Sequence, residues 1–97
     1  MFEAAGYDVV GEAAGAAEAV IRVAELHPEV VLLDVALPDG NGFDVCEHLT
    51  QHPDPPAVVL TSSRDASEYA DRLATTRARG FVPKSRLTAA AVAELAR

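Results

Sequence analysis

The chain has 97 residues and a formal charge of −7, from 15 acidic and 8 basic residues. This length provides one small domain and excludes a two-domain enzyme. The acidic balance argues against nucleic acid or an anionic membrane as the main partner, because both attract clustered Lys and Arg. The single cysteine, Cys46, excludes an internal disulfide and a Cys-rich metal site.

The sequence shows no targeting or membrane signal. No apolar run approaches the length that a membrane-spanning helix needs. The first residues do not combine a basic start with an apolar stretch, so no secretion signal is predicted. We therefore expect a cytoplasmic protein.

Four short runs rich in β-branched residues predict strands. The second and third runs are continuously apolar, which is typical of strands buried on both faces of a parallel sheet. The four predicted strands are residues 7–13, 30–33, 57–60 and 81–82.

Helical patterns follow each predicted strand. Apolar residues at 3.6-residue spacing define one face of each helix. The first helix is expected to end before Pro28, the second to be capped by Asn41, and the third to open with a capping box of Asp65 and Glu68. The predicted apolar faces are Ala17, Val20, Ile21 and Ala24; Phe43, Cys46 and Leu49; Ala66, Tyr69, Ala70, Leu73 and Ala74; and Leu87, Ala91, Val92 and Leu95.

Strand and helix alternate four times, which predicts βαβ units with helices on both faces of a parallel sheet. In such sheets ligands bind at the carboxyl ends of the strands. Asp34, Thr61 and Lys84 follow three of the predicted strands. Each alone is commonly a turn former or a solvated side chain. Together, a carboxylate, a hydroxyl and the one lysine of the chain suit phosphoryl transfer to the carboxylate.

Three segments in this order resemble the receiver domains of bacterial two-component response regulators. They are VLLDVALPDGNG at residues 31–42, VVLTS at 58–62 and GFVPKS at 80–85, and residues 6–19 resemble the second strand and the start of the second helix. The resemblance covers essentially the whole chain and is closest to receivers of LuxR/NarL-type regulators. It implies a flavodoxin-like (CheY-like) doubly wound parallel sheet.

The resemblance also implies roles for individual residues in phosphorelay signal transduction. Asp34 is the expected phosphoacceptor for a sensor histidine kinase. Thr61 and Lys84 are expected to bind the phosphoryl group, and Phe81 is the aromatic that moves inward when Thr61 does. The surface near Phe81 is the expected regulated partner surface.

A metal ion belongs to the same implied site. Mg²⁺ is expected to bind the Asp34 carboxylate and the backbone carbonyl of Ala36. Pro38 and Gly40 are expected to shape the loop after Asp34, the proline by fixing φ and the glycine by allowing positive φ.

One departure from the family pattern dominates. Receivers begin with a strand that ends in two adjacent acids, whereas residues 1–6 of this chain resemble the end of the first helix. We therefore expect a receiver domain over residues 1–97 that lacks the first strand, most of the first helix and the acids that hold Mg²⁺. Glu12 and Asp39 do not replace an adjacent pair. Weak or absent Mg²⁺ binding and inefficient phosphorylation follow.

Two other functions remain open. A pseudo-receiver would bind a partner through the Phe81 surface without phosphorylation, and another receiver domain, as in a homodimer, is a candidate partner alongside the kinase. An enzyme with an aspartyl-phosphate intermediate is disfavoured, because phosphohydrolases of that kind place a second Asp at the position of Ala36. We expect no turnover enzyme, no direct nucleic-acid binding by this chain and no membrane contact.

Overall fold

The computed structural model describes residues 15–96. A parallel sheet has helices on both faces, which confirms the α/β class. Within this span no helix combines the length and apolar character needed to cross a bilayer. The strand predicted at residues 7–13 and the helix end predicted at residues 1–6 lie outside the described residues. In chain order the elements are α1 (Ala16–Leu26), β1 (Val30–Asp34), β2 (Ala36–Leu37), β3 (Gly40–Asn41), α2 (Gly42–Leu49), β4 (Ala57–Ser62), α3 (Ala70–Thr75), β5 (Gly80–Pro83) and α4 (Ala89–Ala96).

The sheet has the order β1–β4–β5, and all its neighbouring strands are parallel. All six residues of β4 are buried, as the continuous apolar run predicts. The short strands β2 and β3 form a separate antiparallel hairpin directly after β1. The parallel strands end together at one edge, here called the carboxyl edge, at Asp34, Ser62 and Pro83.

Alternating residues of the strands build two separate cores. On one face Leu33, Val58 and Leu60 pack beneath α1 and α2. On the other face Val59 and Val82 pack against α4. This follows from the two-residue period of a strand, which sends successive side chains to opposite faces. Each fully buried Leu or Val adds about 1.5–3 kcal/mol to stability.

Helix α1 presents a different face to the core than predicted. Ala19 is buried, and Val20 and Val23 pack beside it. Ile21 is 58% exposed, so its assignment to the core face is wrong. Ala17 and Ala24 are exposed as well. The helix is apolar on two neighbouring stripes, so spacing alone does not distinguish the stripe that meets the sheet.

Helix α2 begins as predicted. The Asn41 side-chain oxygen accepts a hydrogen bond from the backbone N–H of Asp44 at 3.0 Å, which confirms Asn41 as the N-cap. Phe43, Cys46 and Leu49 are buried, as expected. Burial also raises the pKa of the Cys46 thiol, which therefore stays protonated at neutral pH.

The third helix starts later than predicted and without the capping box. Residues Ala66–Tyr69 form a 3-10 turn, and α3 begins only at Ala70. The Asp65 side chain makes no capping hydrogen bond. Glu68 instead pairs with Arg64 at 3.2 Å. Helix α4 likewise begins after Leu87, at Ala89.

Gly42 allows α2 to start directly against the backbone of Asp34. A Cβ atom at Gly42 would lie 2.5 Å from the Asp34 carbonyl oxygen. We expect Gly42→Ala to lower the free energy of unfolding by about 1–3 kcal/mol, because the added methyl forces the backbone apart. Urea denaturation measures this loss.

Gly40→Ala is the matched control. Its Cβ would lie 3.2 Å from the Cβ of Ala16, a side-chain contact that a small shift relieves. We expect Gly40→Ala to lower the free energy of unfolding by less than Gly42→Ala does. Equal losses at the two positions would contradict the contact between Gly42 and Asp34.

Candidate functional site

The register of the strands brings the predicted site residues together. Asp34 lies opposite Thr61 across the β1–β4 pair, and Thr61 lies opposite Val82 across the β4–β5 pair. Lys84 follows directly after β5. The Lys84 ammonium nitrogen lies 2.6 Å from the Oδ2 atom of Asp34. The two groups therefore form a charge-assisted hydrogen bond at the carboxyl edge.

The Asp34 carboxylate is fixed on one side and reachable on the other. Its Oδ1 atom accepts a hydrogen bond from the backbone N–H of Ala36 at 3.0 Å. The Asp34 side chain is 29% exposed and that of Lys84 is 50% exposed. Part of the Asp34 carboxylate is therefore accessible from solvent.

Thr61 is close to the site but turned toward the protein. Its Oγ1 atom donates a hydrogen bond of 2.7 Å to the backbone carbonyl of Val82. The Thr61 residue is buried, with 5% exposure. In this conformation the hydroxyl is bound to β5, not to Asp34.

The loop after Asp34 is the β2–β3 hairpin, with Pro38 and Asp39 at its tip. Ala36 lies opposite Asn41, so the hairpin holds the Ala36 backbone close to Asp34. The predicted positive φ at Gly40 is wrong, since Gly40 has no left-handed backbone. The glycine instead provides space, because Gly40 lies against the Cβ of Ala16.

Asp39 has a role that the sequence did not indicate. Its two carboxylate oxygens accept hydrogen bonds from the backbone N–H groups of Ala16, at 2.5 Å, and Ala17, at 3.1 Å. These are the first amides of α1, which have no partner within the helix. The hydrogen bonds from Ala16 and Ala17 lower the pKa of the Asp39 carboxyl. Asp39 thus caps a helix that lies 22 residues or more away in sequence.

Phe81 belongs to an aromatic cluster with Phe43 and Tyr69, in which neighbouring rings are tilted by 52° and 55°. The ring centroids of Tyr69 and Phe81 are 5.9 Å apart, and those of Phe43 and Tyr69 are 5.7 Å apart. The Tyr69 hydroxyl lies 3.0 Å from the Oγ atom of Ser62, the neighbour of Thr61. Tyr69 was predicted only as part of a helix face. Its position beside Phe81 depends on long-range packing, for which the sequence carries no separate signal.

Arg72 connects α3 to α2 beside this cluster. Its guanidinium lies 4.9 Å from the centre of the Phe43 ring, and it pairs with the Asp44 carboxylate at 3.0 Å. The Arg72 side chain is about half exposed, so the ion pair adds little stability by itself. The cation–π contact places the guanidinium over the buried Phe43 ring of this cluster.

The described residues do not complete a metal site. Among residues 15–96 no group of three or more His, Cys, Asp or Glu side chains is placed to hold a metal ion. Asp34 supplies one carboxylate, and Lys84 already contacts its Oδ2 atom. The sequence also contains no two adjacent acidic residues. The part of the chain that the structure describes therefore does not fit a complete Mg²⁺ site.

Comparison with known families gives a match over nearly the whole chain. The family described as the response regulator receiver domain matches residues 1–95. The chain belongs to this family. Receiver domains act in two-component systems as regulatory modules, and as a class they bind Mg²⁺ at the phosphorylation site.

Individual receiver proteins support the same assignment. The chain is 44% identical over 78 residues to the DNA-binding transcriptional activator DevR/DosR of Mycobacterium tuberculosis, an alignment that covers 79% of this chain and 36% of that protein. The chain thus spans about a third of the length of this activator.

Solved structures agree with the fold. The receiver domain of the response regulator NarL from Mycobacterium tuberculosis has a TM-score of 0.75 and 29% identity, covering 92% of this chain and 68% of that chain. A LuxR-family response regulator from Aurantimonas has a TM-score of 0.74 and 32% identity, covering 82% of this chain and 57% of that chain. These similarities confirm the receiver family and the CheY-like fold predicted from the three sequence segments.

The capping interaction of Asp39 predicts a pH dependence of stability. A carboxyl whose pKa is lowered by folding stabilises the native state above its unfolded pKa, here 3.8. This stabilisation is lost as the pH falls through the lower pKa of the folded state. We expect the native protein to be more stable than Asp39→Asn at pH 6, and the difference to shrink toward pH 3.

Urea unfolding of both proteins across this pH range measures the difference. The other carboxyl groups are common to the two proteins, so their contributions cancel. A difference that stays constant between pH 6 and pH 3 would contradict the charged cap.

Proposed function

We propose that the chain is a phosphorylation-dependent switch that accepts a phosphoryl group on Asp34 from a sensor histidine kinase. The observation that supports this most is the 2.6 Å contact between Lys84 and the half-buried Asp34 carboxylate at the carboxyl edge. A carboxylate nucleophile beside a fixed ammonium is suited to phosphoryl transfer, because the ammonium can pair with the transferred oxygens.

The chemistry is a displacement at phosphorus. A carboxylate oxygen of Asp34 forms a bond to phosphorus, while the bond from phosphorus to the donor histidine nitrogen breaks. The product is an aspartyl phosphate, and the leaving histidine nitrogen takes up one proton from solvent, which gives a neutral imidazole. Lys84 then faces a phosphoryl group in place of a carboxylate.

Thr61 and Phe81 transmit the change in this proposal. The Thr61 hydroxyl leaves the Val82 carbonyl, to which it donates at 2.7 Å, and donates to a phosphoryl oxygen instead. Phe81 moves into the space beside Thr61. Because Phe81 contacts Tyr69, its movement alters the surface formed by the turn at Ala66–Tyr69 and by β5. This surface is the proposed binding face for partners.

Mg²⁺ is the proposed cofactor, with the Asp34 carboxylate and the Ala36 backbone carbonyl as its ligands in this chain. Bound there, it would offset negative charge on the phosphoryl group. The described residues supply too few acidic ligands, so we propose slow phosphorylation for the 97-residue chain. We further propose that Pro38 and Gly40 keep the loop compact.

The proposed partners are a sensor histidine kinase and a second receiver domain, in a cytoplasmic protein. We propose no catalytic turnover and no nucleic-acid contact by this chain, whose charge is −7. One observation favours a second function. Phe81 already packs against Tyr69, with ring centroids 5.9 Å apart, so a phosphorylation-independent interaction module that uses the Phe81 surface is the alternative.

Intact-mass spectrometry with acetyl phosphate and Mg²⁺ tests the proposal. We expect the chain to gain one phosphoryl group and Asp34→Asn to gain none, because Asp34 is the carboxylate that lies 2.6 Å from Lys84. Asp54→Asn, at an exposed carboxylate in a loop, is the matched control and should gain one group. Lys84→Met should slow the gain by at least about 10-fold, and Arg86→Met, at an exposed cation in the same turn, should not.

Phosphorylation at a residue other than Asp34 would overturn the assignment of Asp34 as the phosphoacceptor. If neither this chain nor a chain extended upstream in the same reading frame gains a phosphoryl group, although both are folded, the interaction module takes the place of the switch. Equal binding of a partner to the native chain and to Asp34→Asn would also favour the interaction module over the switch.

A further inference from the structure

The β2–β3 hairpin is held at its base and at its tip. At the base, the backbone N–H of Ala36 donates to the Oδ1 atom of Asp34 at 3.0 Å. The hairpin pairs Ala36 with Asn41 and Leu37 with Gly40. The tip residues, Pro38 and Asp39, lie only two and three positions beyond Ala36. A displacement of the tip therefore reaches the amide that binds the Asp34 carboxylate.

The tip is held by the two hydrogen bonds that Asp39 accepts from the first amides of α1. This end of a helix carries a partial positive charge, which favours a carboxylate. Two glycines permit the hairpin to lie close to the start of α1. A Cβ atom at Gly15 would lie 2.5 Å from the Oδ1 atom of Asp39, and Gly40 lies against Ala16. Small residues thus lie at both points where the hairpin and the start of α1 come closest.

We propose that Asp39 is a positioning residue for phosphoryl transfer at Asp34. The inference rests on the proposed function and adds a residue to it. Asp39 contacts neither Asp34 nor Lys84 in the described contacts; it acts through the hairpin. By fixing the tip to α1, it keeps the Ala36 N–H on Oδ1 of Asp34 and so leaves Oδ2 directed at Lys84. Small displacements of a reacting group cost much of the rate.

A simpler role for Asp39 is to cap α1 and nothing more. In that case its removal loosens the start of α1 and leaves the hairpin unchanged. In the proposed role its removal loosens the hairpin first. The two roles differ at the backbone amides of Ala36, Leu37 and Gly40, which lie in the hairpin and not in α1.

Backbone ¹⁵N relaxation separates the two roles without any phosphoryl donor. In Asp39→Ala we expect the order parameters of the hairpin amides to fall from about 0.85 toward about 0.6, and that of Val92, on the opposite face, to stay constant. Asp39→Asn keeps one acceptor oxygen and should restore most of the order. Asp54→Ala serves as the control at an exposed carboxylate.

The rate of phosphoryl gain from acetyl phosphate is the second readout. We expect the initial rate to fall about 10-fold in Asp39→Ala and to recover in Asp39→Asn, in step with the order parameters. Loss of order in α1 alone, with the hairpin and the rate unchanged, would overturn the proposal. If no protein gains a phosphoryl group, the proposed function fails, and the relaxation data still decide whether Asp39 holds the hairpin.

Discussion

The parallel register of β1, β4 and β5 is the constraint on which the rest of the molecule depends. It places Asp34 opposite Thr61 and Thr61 opposite Val82, so that Lys84 emerges next to the Asp34 carboxylate. A slip of one residue would send each side chain of a strand to the opposite face of the sheet. The two separate cores prevent such a slip, because each requires its own alternating set of apolar residues.

The face that carries α1, α2 and α3 links the carboxyl edge to the surface by two routes. Asp39 ties the loop after Asp34 to the start of α1. The aromatic cluster of Phe43, Tyr69 and Phe81 connects β5 to α2 and to the turn before α3. A change at the carboxyl edge can therefore act on distinct helices, which is the structural requirement for a regulatory domain.

The sequence predicts β1, β4 and β5 and the residues at their carboxyl ends well, because these signals are local. A continuous apolar run followed by Asp34 or Thr61 needs no distant partner to be recognised. The orientation of α1 was predicted wrongly at Ile21, since an alanine-rich helix offers two similar stripes and the sheet selects one. The roles of Asp39 and Tyr69 depend on contacts with Ala16 and Ser62, which only the folded chain brings together.

A double-mutant cycle on Asp34 and Lys84 tests whether the strand register makes these two residues an interacting pair. Asp34→Asn keeps the acceptor for the Ala36 amide and removes the charge, and Lys84→Met keeps most of the side-chain length. From urea unfolding of the four proteins at low salt, we expect a favourable coupling of about 0.5–1 kcal/mol that weakens as salt is added. Strictly additive effects at every salt concentration would contradict it.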